Sequence, residues 1–255
     1  MESIDRTGIF TPGRFVWHEI MTSDVERSQN FFTALFGWTV ESWSMGEGGS
    51  YTGIKNGERG MGGMMQIPAG DPRPPHTVGY VSVADVDAAV ARAKALGGQV
   101  GFGPMDIPDV GRFAVLGDPQ GAWFTVFRDC KGDGPEPGRP AAGDFCWDTL
   151  STTDLGGAKS FYREICGWDV SAPGDAEAMW VQGELMRGDI QPVQGGAPAH
   201  WLTHIAVNDL VATVARASEL GGVVIIPRLD IDPWGTMALI QDPCGVMFSA
   251  FQSAG

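Results

Sequence analysis

The chain repeats itself, and that limits what it can fold into. A stretch beginning at Gly13, GRFVWHEIMTSDVERSQNFFTALFGWTV, returns at Gly143 as GDFCWDTLSTTDLGGAKSFYREICGWDV. At an offset of 130, Phe15, Trp17, Thr22, Asp24, Phe31, Gly37, Trp38 and Val40 match Phe145, Trp147, Thr152, Asp154, Phe161, Gly167, Trp168 and Val170. At an offset of 124, ADVDAAVARAKALGG and GDPQGAWFTVF return as NDLVATVARASELGG and QDPCGVMFSAF, while Asp106, Ile107 and Gly111 answer Asp230, Ile231 and Gly235. Self-similarity at a fixed spacing means one unit built twice. Residues 10–130 and 143–253 are the two domains, and 131–142, rich in Pro and Gly, suits a linker.

Local signals place the elements of each copy. Phe15 to Met21 reads as a strand, Thr22-Ser23-Asp24 as a helix cap, and Val25 to Phe36 as a helix stopped by Gly37. Asn56-Gly57 predicts a two-residue hairpin turn. A strand over Val78 to Val83, a helix over Val86 to Leu96 and a hairpin across Asp118-Pro119-Gln120-Gly121 follow. Each domain is thus α+β, made of paired βαβββ modules with a curved mixed, mainly antiparallel sheet. Helices outside such a sheet leave its concave face for a ligand.

Composition narrows the partners. A hydrophobic content of 43% suffices for packed cores, and a formal charge of −14 repels nucleic acid and anionic membrane surfaces. Four cysteines without paired spacing read as free thiols of a reducing compartment. The opening MESIDRTGIF lacks the features of a signal peptide, and no stretch approaches the ~20 apolar residues of a membrane span. The expected setting is cytoplasmic.

The phrases D-x-x-x-(A/S)-x-x-F-(F/Y)-x-x-L-F-G-W, D-V-D-A…L-G-G and D-P-x-G, in this order, resemble the vicinal oxygen chelate superfamily (glyoxalase, bleomycin resistance protein, extradiol dioxygenase). The likeness covers nearly the whole chain. Gly13-Arg14-Phe15-Val16-Trp17 and Val110-Gly111-Arg112-Phe113-Ala114, leading into Asp118-Pro119-Gln120-Gly121-Ala122, are more narrowly similar to tandem-domain, glyoxalase-like bacterial proteins labelled hydroxylases. The resemblance implies a divalent metal held by His or Gln, His and Glu on three strands. Counted from the shared motifs, those positions are Trp17, Val78 and Thr125 in the first copy, and Trp147, Leu202 and Ser249 in the second. None suits a metal, so the usual site is expected to be absent.

Other residues then become the candidates. Alternation aims Trp17 and Trp147 at the free face, where an indole either stacks a flat ligand or packs the interior. Glu19 shares that parity and is matched by Thr149, so the two cavities differ; His18 should point towards the helices. His76 and His200 recur two residues before Val78 and Leu202, with Tyr80 and His204 two beyond. The imidazoles are ligand contacts, ligands of a shifted nonstandard divalent metal, or strand-edge histidines beside Pro75 and Ala199. Thr125 and Ser249 complete the expected lining. Arg112 meets an anion or pairs with a surface carboxylate.

The favoured expectation is a metal-independent binder of a small, largely apolar or aromatic metabolite, because antibiotic-sequestering relatives act by binding alone. The rival is a lyase, isomerase or hydroxylase-type enzyme of secondary metabolism using Glu19, His76 or His204 for proton transfer, or a nonstandard divalent metal. A third reading is an interaction protein with vestigial cavities. Tandem copies can pair within one chain, so both monomer and homodimer are compatible with the sequence.

Overall fold

A computed structural model describes residues 8–46, 49–171 and 178–254. The first copy runs β1 (Phe15–Thr22), α1 (Val25–Phe36), β2 (Thr39–Ser44), β3 (Ser50–Asn56), β4 (Arg59–Gln66), β5 (His76–Ser82), α2 (Val86–Ala95), β6 (Gln99–Ile107), β7 (Gly111–Gly117) and β8 (Trp123–Asp129). The second repeats it as β9 (Phe145–Thr152), α3 (Leu155–Cys166), β10 (Asp169–Val170), β11 (Ala178–Gln182), β12 (Leu185–Pro192), β13 (His200–Ala206), α4 (Leu210–Glu219), β14 (Val223–Ile231), β15 (Gly235–Gln241) and β16 (Met247–Ser253). Each copy forms an eight-stranded mixed sheet, ordered β2-β3-β4-β1-β5-β8-β7-β6 and β10-β11-β12-β9-β13-β16-β15-β14. The fold is α+β, as the motifs require.

The helix signals act as read. Asp24 is extended and accepts a hydrogen bond from the Arg27 amide, while Gly37 closes α1 in the left-handed conformation. Asp85, Asp154 and Asp209 cap α2, α3 and α4 in the same way. The first hairpin differs by one residue from the expected turn. Its loop is Gly57-Glu58, and Asn56 remains in β3 paired with Arg59. The Asn56 side chain instead donates to the Ala142 carbonyl and to Asp144.

Packing departs from the sequence repeat. The chain divides into two compact units, one comprising Met1–Val16, Gly79–Gly138 and Asp148–Trp201, the other Trp17–Val78, Arg139–Trp147 and Leu202–Gly255. Each unit therefore combines half of each copy. In the first, Val81, Val90, Leu116, Phe124 and Val126 share a core with Leu150, Phe161, Tyr162, Trp168 and Trp201. In the second, Ile20, Phe31, Phe32, Trp38, Ile54 and Met64 share one with Ile205, Leu210, Ile240 and Phe248. Helix α2 meets α3, and α1 meets α4.

The shared motifs form the polar ties of these units. Trp38 donates its indole proton to the Gly143 carbonyl at 2.7 Å, and Trp168 does the same to Gly13. The aspartates of D-P-x-G organise their own turns and also reach a helix from the other copy. Asp118 accepts from the amides of Gln120 and Ala122 with one oxygen and from the Tyr162 hydroxyl with the other. Asp242 accepts from the amides of Cys244 and Val246, then from Ser28 at 2.5 Å. Burial raises the pKa of both Asp118 and Tyr162, so the phenol remains a donor. Tyr162 in turn accepts from the Trp201 indole at 3.0 Å.

The linker is anchored at both ends. Arg14 donates to the carbonyls of Gly134 and Pro135, and the Asp133 carboxylate accepts from Ser82. Arg59 pairs with Asp144 beyond it. Among the described residues, no helix is long and apolar enough to cross a membrane.

Removing the Tyr162 hydroxyl leaves Asp118 and the Trp201 indole short of a partner in a buried setting. Tyr162→Phe is expected to lower unfolding free energy by about 1–3 kcal/mol, and Ser28→Ala by a similar amount through Asp242. Denaturant midpoints at neutral pH measure both.

Candidate functional site

Strands β1 and β4 run parallel, with Glu19 opposite Gly63 and Ile20 opposite Met64. Ile20, Ile54 and Met64 enter the core, so alternation turns Glu19 to the other face. Three aromatic side chains gather there over glycines. The ring of Trp43 lies on Gly53, where a Cβ would come within 2.6 Å of it. Trp17 lies against Gly60 in ordinary contact. At Gly63 a Cβ would stand 2.1 Å from the Tyr51 hydroxyl and 2.7 Å from Glu19 Oε1, so a side chain there would displace them. Trp43 stacks on Tyr51 with centroids 6.1 Å apart.

One hydrogen-bonded chain links the cluster. Trp17 Nε1 donates to Tyr51 Oη at 2.9 Å, and Tyr51 Oη donates to Glu19 Oε2 at 3.1 Å. An indole can only donate, so the first bond runs from Trp17 to Tyr51. Glu19 is 2% exposed, and its Oε1 is buried with no hydrogen-bond partner among the described residues. Burial pushes its pKa up from 4.5 to about 8, against the opposing pull of hydrogen bonding by Tyr51 and Trp17. The shift favours the neutral, protonated form of this carboxyl group among the aromatic rings.

The remaining candidates lie as follows. His18 stacks on Phe145 at 4.4 Å, off the Glu19 face. Tyr80 stands opposite Thr125 across β5 and β8 and stacks on Phe113, which stacks on Phe102. Thr125 is fully buried, with Oγ1 lacking a partner among the described residues. His76 and His200 hold Nδ1 at 2.8 and 2.9 Å from the carbonyls of Pro74 and Pro198 at the openings of β5 and β13. Burial lowers the His76 pKa. Arg112 pairs with Asp87 and Asp106.

In the second copy, Trp147 is half-buried, and His204 stands opposite Ser249 with its ring edge-on to Phe251. Thr149, the counterpart of Glu19, donates to Asp189 at 2.6 Å. Asp189 sits opposite Thr149 as Gly63 sits opposite Glu19. The carboxylate has moved to the neighbouring strand. Sequence reasoning did not single out Asp189, Tyr51 or Trp43. The small residues of GGSYTG and GMGGMM were a signal that large rings lie across β3 and β4.

Comparison with known proteins agrees with this architecture. Residues 14–126 match the Glyoxalase/Bleomycin resistance protein/Dioxygenase superfamily, and residues 144–251 a glyoxalase-like domain. The chain is 33% identical to the anthracycline biosynthesis protein DnrV of Streptomyces peucetius, covering 95% of this chain and 94% of that protein. The chain belongs to the glyoxalase/bleomycin resistance protein/dioxygenase superfamily. Similar solved folds include the Mn(II)-bound glyoxalase of Novosphingobium aromaticivorans, with a TM-score of 0.67 at 16% identity, covering 94% of this chain and 82% of that one. The 2,3-dioxygenase LapB of Pseudomonas sp. KL28 gives 0.65 at 13% identity, over 98% and 94% of the two chains.

The divalent metal implied by this superfamily does not fit the residues at its three positions. In the first copy the Trp17 indole already donates to Tyr51, Val78 is hydrocarbon, and Thr125 offers one hydroxyl. Trp147, Leu202 and Ser249 are no better suited. No group of three or more His, Cys, Asp or Glu side chains that could hold a metal occurs among the described residues.

The buried acid has a measurable pH signature. Below about pH 4.5 Glu19 is protonated both folded and unfolded; between there and about 8 only the folded chain keeps the proton. Stability therefore falls as pH rises through this window, by up to about 1.4 kcal/mol per unit, and levels off above it. Glu19→Gln is expected to match the wild type near the acid end and exceed it above about pH 8. Denaturant unfolding across pH reads the difference.

Proposed function

We propose that this protein binds a small planar aromatic metabolite without a metal, using Trp17, Tyr51, Trp43 and Glu19 of the first copy. The observation that carries the reading is the buried Glu19 Oε1, a polar atom without a hydrogen-bond partner among the described residues, beside three aromatic rings. Leaving a polar atom unsatisfied costs stability, and such costs are retained where a ligand supplies the missing bond. Rings over glycines offer flat apolar area that loses little side-chain entropy on binding. The likeness to DnrV, an anthracycline biosynthesis protein, favours polycyclic aromatic ligands for this chain.

A second reading has one observation in its favour. A carboxyl group with its pKa near 8 is suited to proton transfer at neutral pH, as an isomerase or lyase of secondary metabolism requires. Conversion of a bound ligand by the wild type and its loss in Glu19→Gln with binding intact would favour catalysis.

Titration with anthraquinones and acridones, followed by Trp emission, tests the binding reading. Saturable quenching is expected, unchanged by EDTA and weakened about tenfold in Trp17→Leu, the equivalent of about 1.4 kcal/mol. Loss of binding on chelation, or no saturation across the panel, contradicts it.

A further inference from the structure

Trp43 is held differently from the other rings of the first-copy cluster. It stands on the edge strand β2, directly opposite Tyr51 of β3, and its ring reaches diagonally over Gly53. Trp17 is tied to Tyr51 through its N–H, and Tyr51 is tied to Glu19. Trp43 meets the cluster by ring contact. It stacks on Tyr51 at 6.1 Å with 25° between the planes, and it is 46% exposed. Gly53 beneath it is buried, and a Cβ there would come within 2.6 Å of the indole.

The sheet does not demand a glycine at this register. Gly53 stands opposite Gly63, which faces Glu19; in the second copy Met179 stands opposite Asp189, which faces Thr149. The second copy thus carries a half-buried methionine where the first has Gly53. The glycine suits the ring lying on it, and together Gly53 and Tyr51 make a flat seat for one aromatic group.

Granted the binding reading above, we infer that the Trp43 indole occupies the ligand's seat, and that a planar aromatic ligand binds by displacing it from Gly53 and Tyr51. A ring laid on a glycine and stacked on an anchored phenol is the contact such a ligand would make. In the closed protein its own indole makes it. Trp43 lies at the sheet edge, so its side chain can swing towards solvent while β2 and β3 stay paired. Giving up the stacking weighs about tenfold in an equilibrium constant, so the apparent affinity is lowered by about that factor.

Acridone emits on its own, so its fluorescence anisotropy reads binding whichever tryptophans remain. Trp43→Ala is expected to bind acridone about tenfold more tightly than wild type. In wild type labelled with 5-fluorotryptophan, the fluorine resonance of Trp43, assigned by its loss in Trp43→Phe, should move towards its unfolded position as acridone saturates. Binding by Trp43→Ala but not by wild type supports the same conclusion. Equal or weaker binding by Trp43→Ala overturns the displacement while the aromatic binding reading stands. A Trp43 resonance that stays in place at saturation also overturns it, and this readout does not depend on the alanine variant folding. Failure of both wild type and Trp43→Ala to bind removes the binding reading and the displacement together.

Discussion

The structure depends on an exchange of buried contacts between the two sequence copies. Asp118 of the first copy is satisfied by Tyr162 of the second, and Asp242 of the second by Ser28 of the first. The indoles of Trp38 and Trp168 make the same exchange with Gly143 and Gly13. Each tie lies beside a core that both copies fill. A buried carboxylate that loses its partner is costly, so these contacts hold the halves in one arrangement. The opposite faces of the strands are left outside this requirement.

Those faces show where the two copies have diverged. In the first, a glutamate on β1 faces a glycine on β4, and Tyr51 fills the space above that glycine. In the second, a threonine on β9 faces an aspartate on β12 and donates to it. Both pairs occupy the same register. One gives a buried acid with a raised pKa enclosed by rings, the other a half-buried carboxylate bound to a hydroxyl. Neither resembles the three-ligand metal set implied by the superfamily.

Much of this was legible in the sequence, for physical reasons that differ by residue. Asp24 and Gly37 bound α1 because a side-chain cap and a left-handed glycine act within a few residues. Glu19 could be aimed at the free face because strand alternation is a local rule, although its enclosure by Tyr51 was not foreseen. Tyr51 lies 32 residues from Glu19 in sequence, and only strand register brings them together. Asp189 was hidden because β4 and β12 share little beyond Gly62 and Gly188, so the repeat could not be followed through them. The exchange of halves was also hidden. A repeat shows that two units exist but not which surfaces satisfy each other.

The exchange has an evolutionary consequence. Since each core draws on both copies, deletion of either would open both cores at once, and the duplication acts as a ratchet. Mutations inside the cores are judged against two halves with separate histories. The opposite faces of the strands carry no such joint requirement, and there one copy has a glutamate and its partner glycine where the other has a threonine and an aspartate. Fusion bound the folding of the two copies together and left their chemistry free to drift apart.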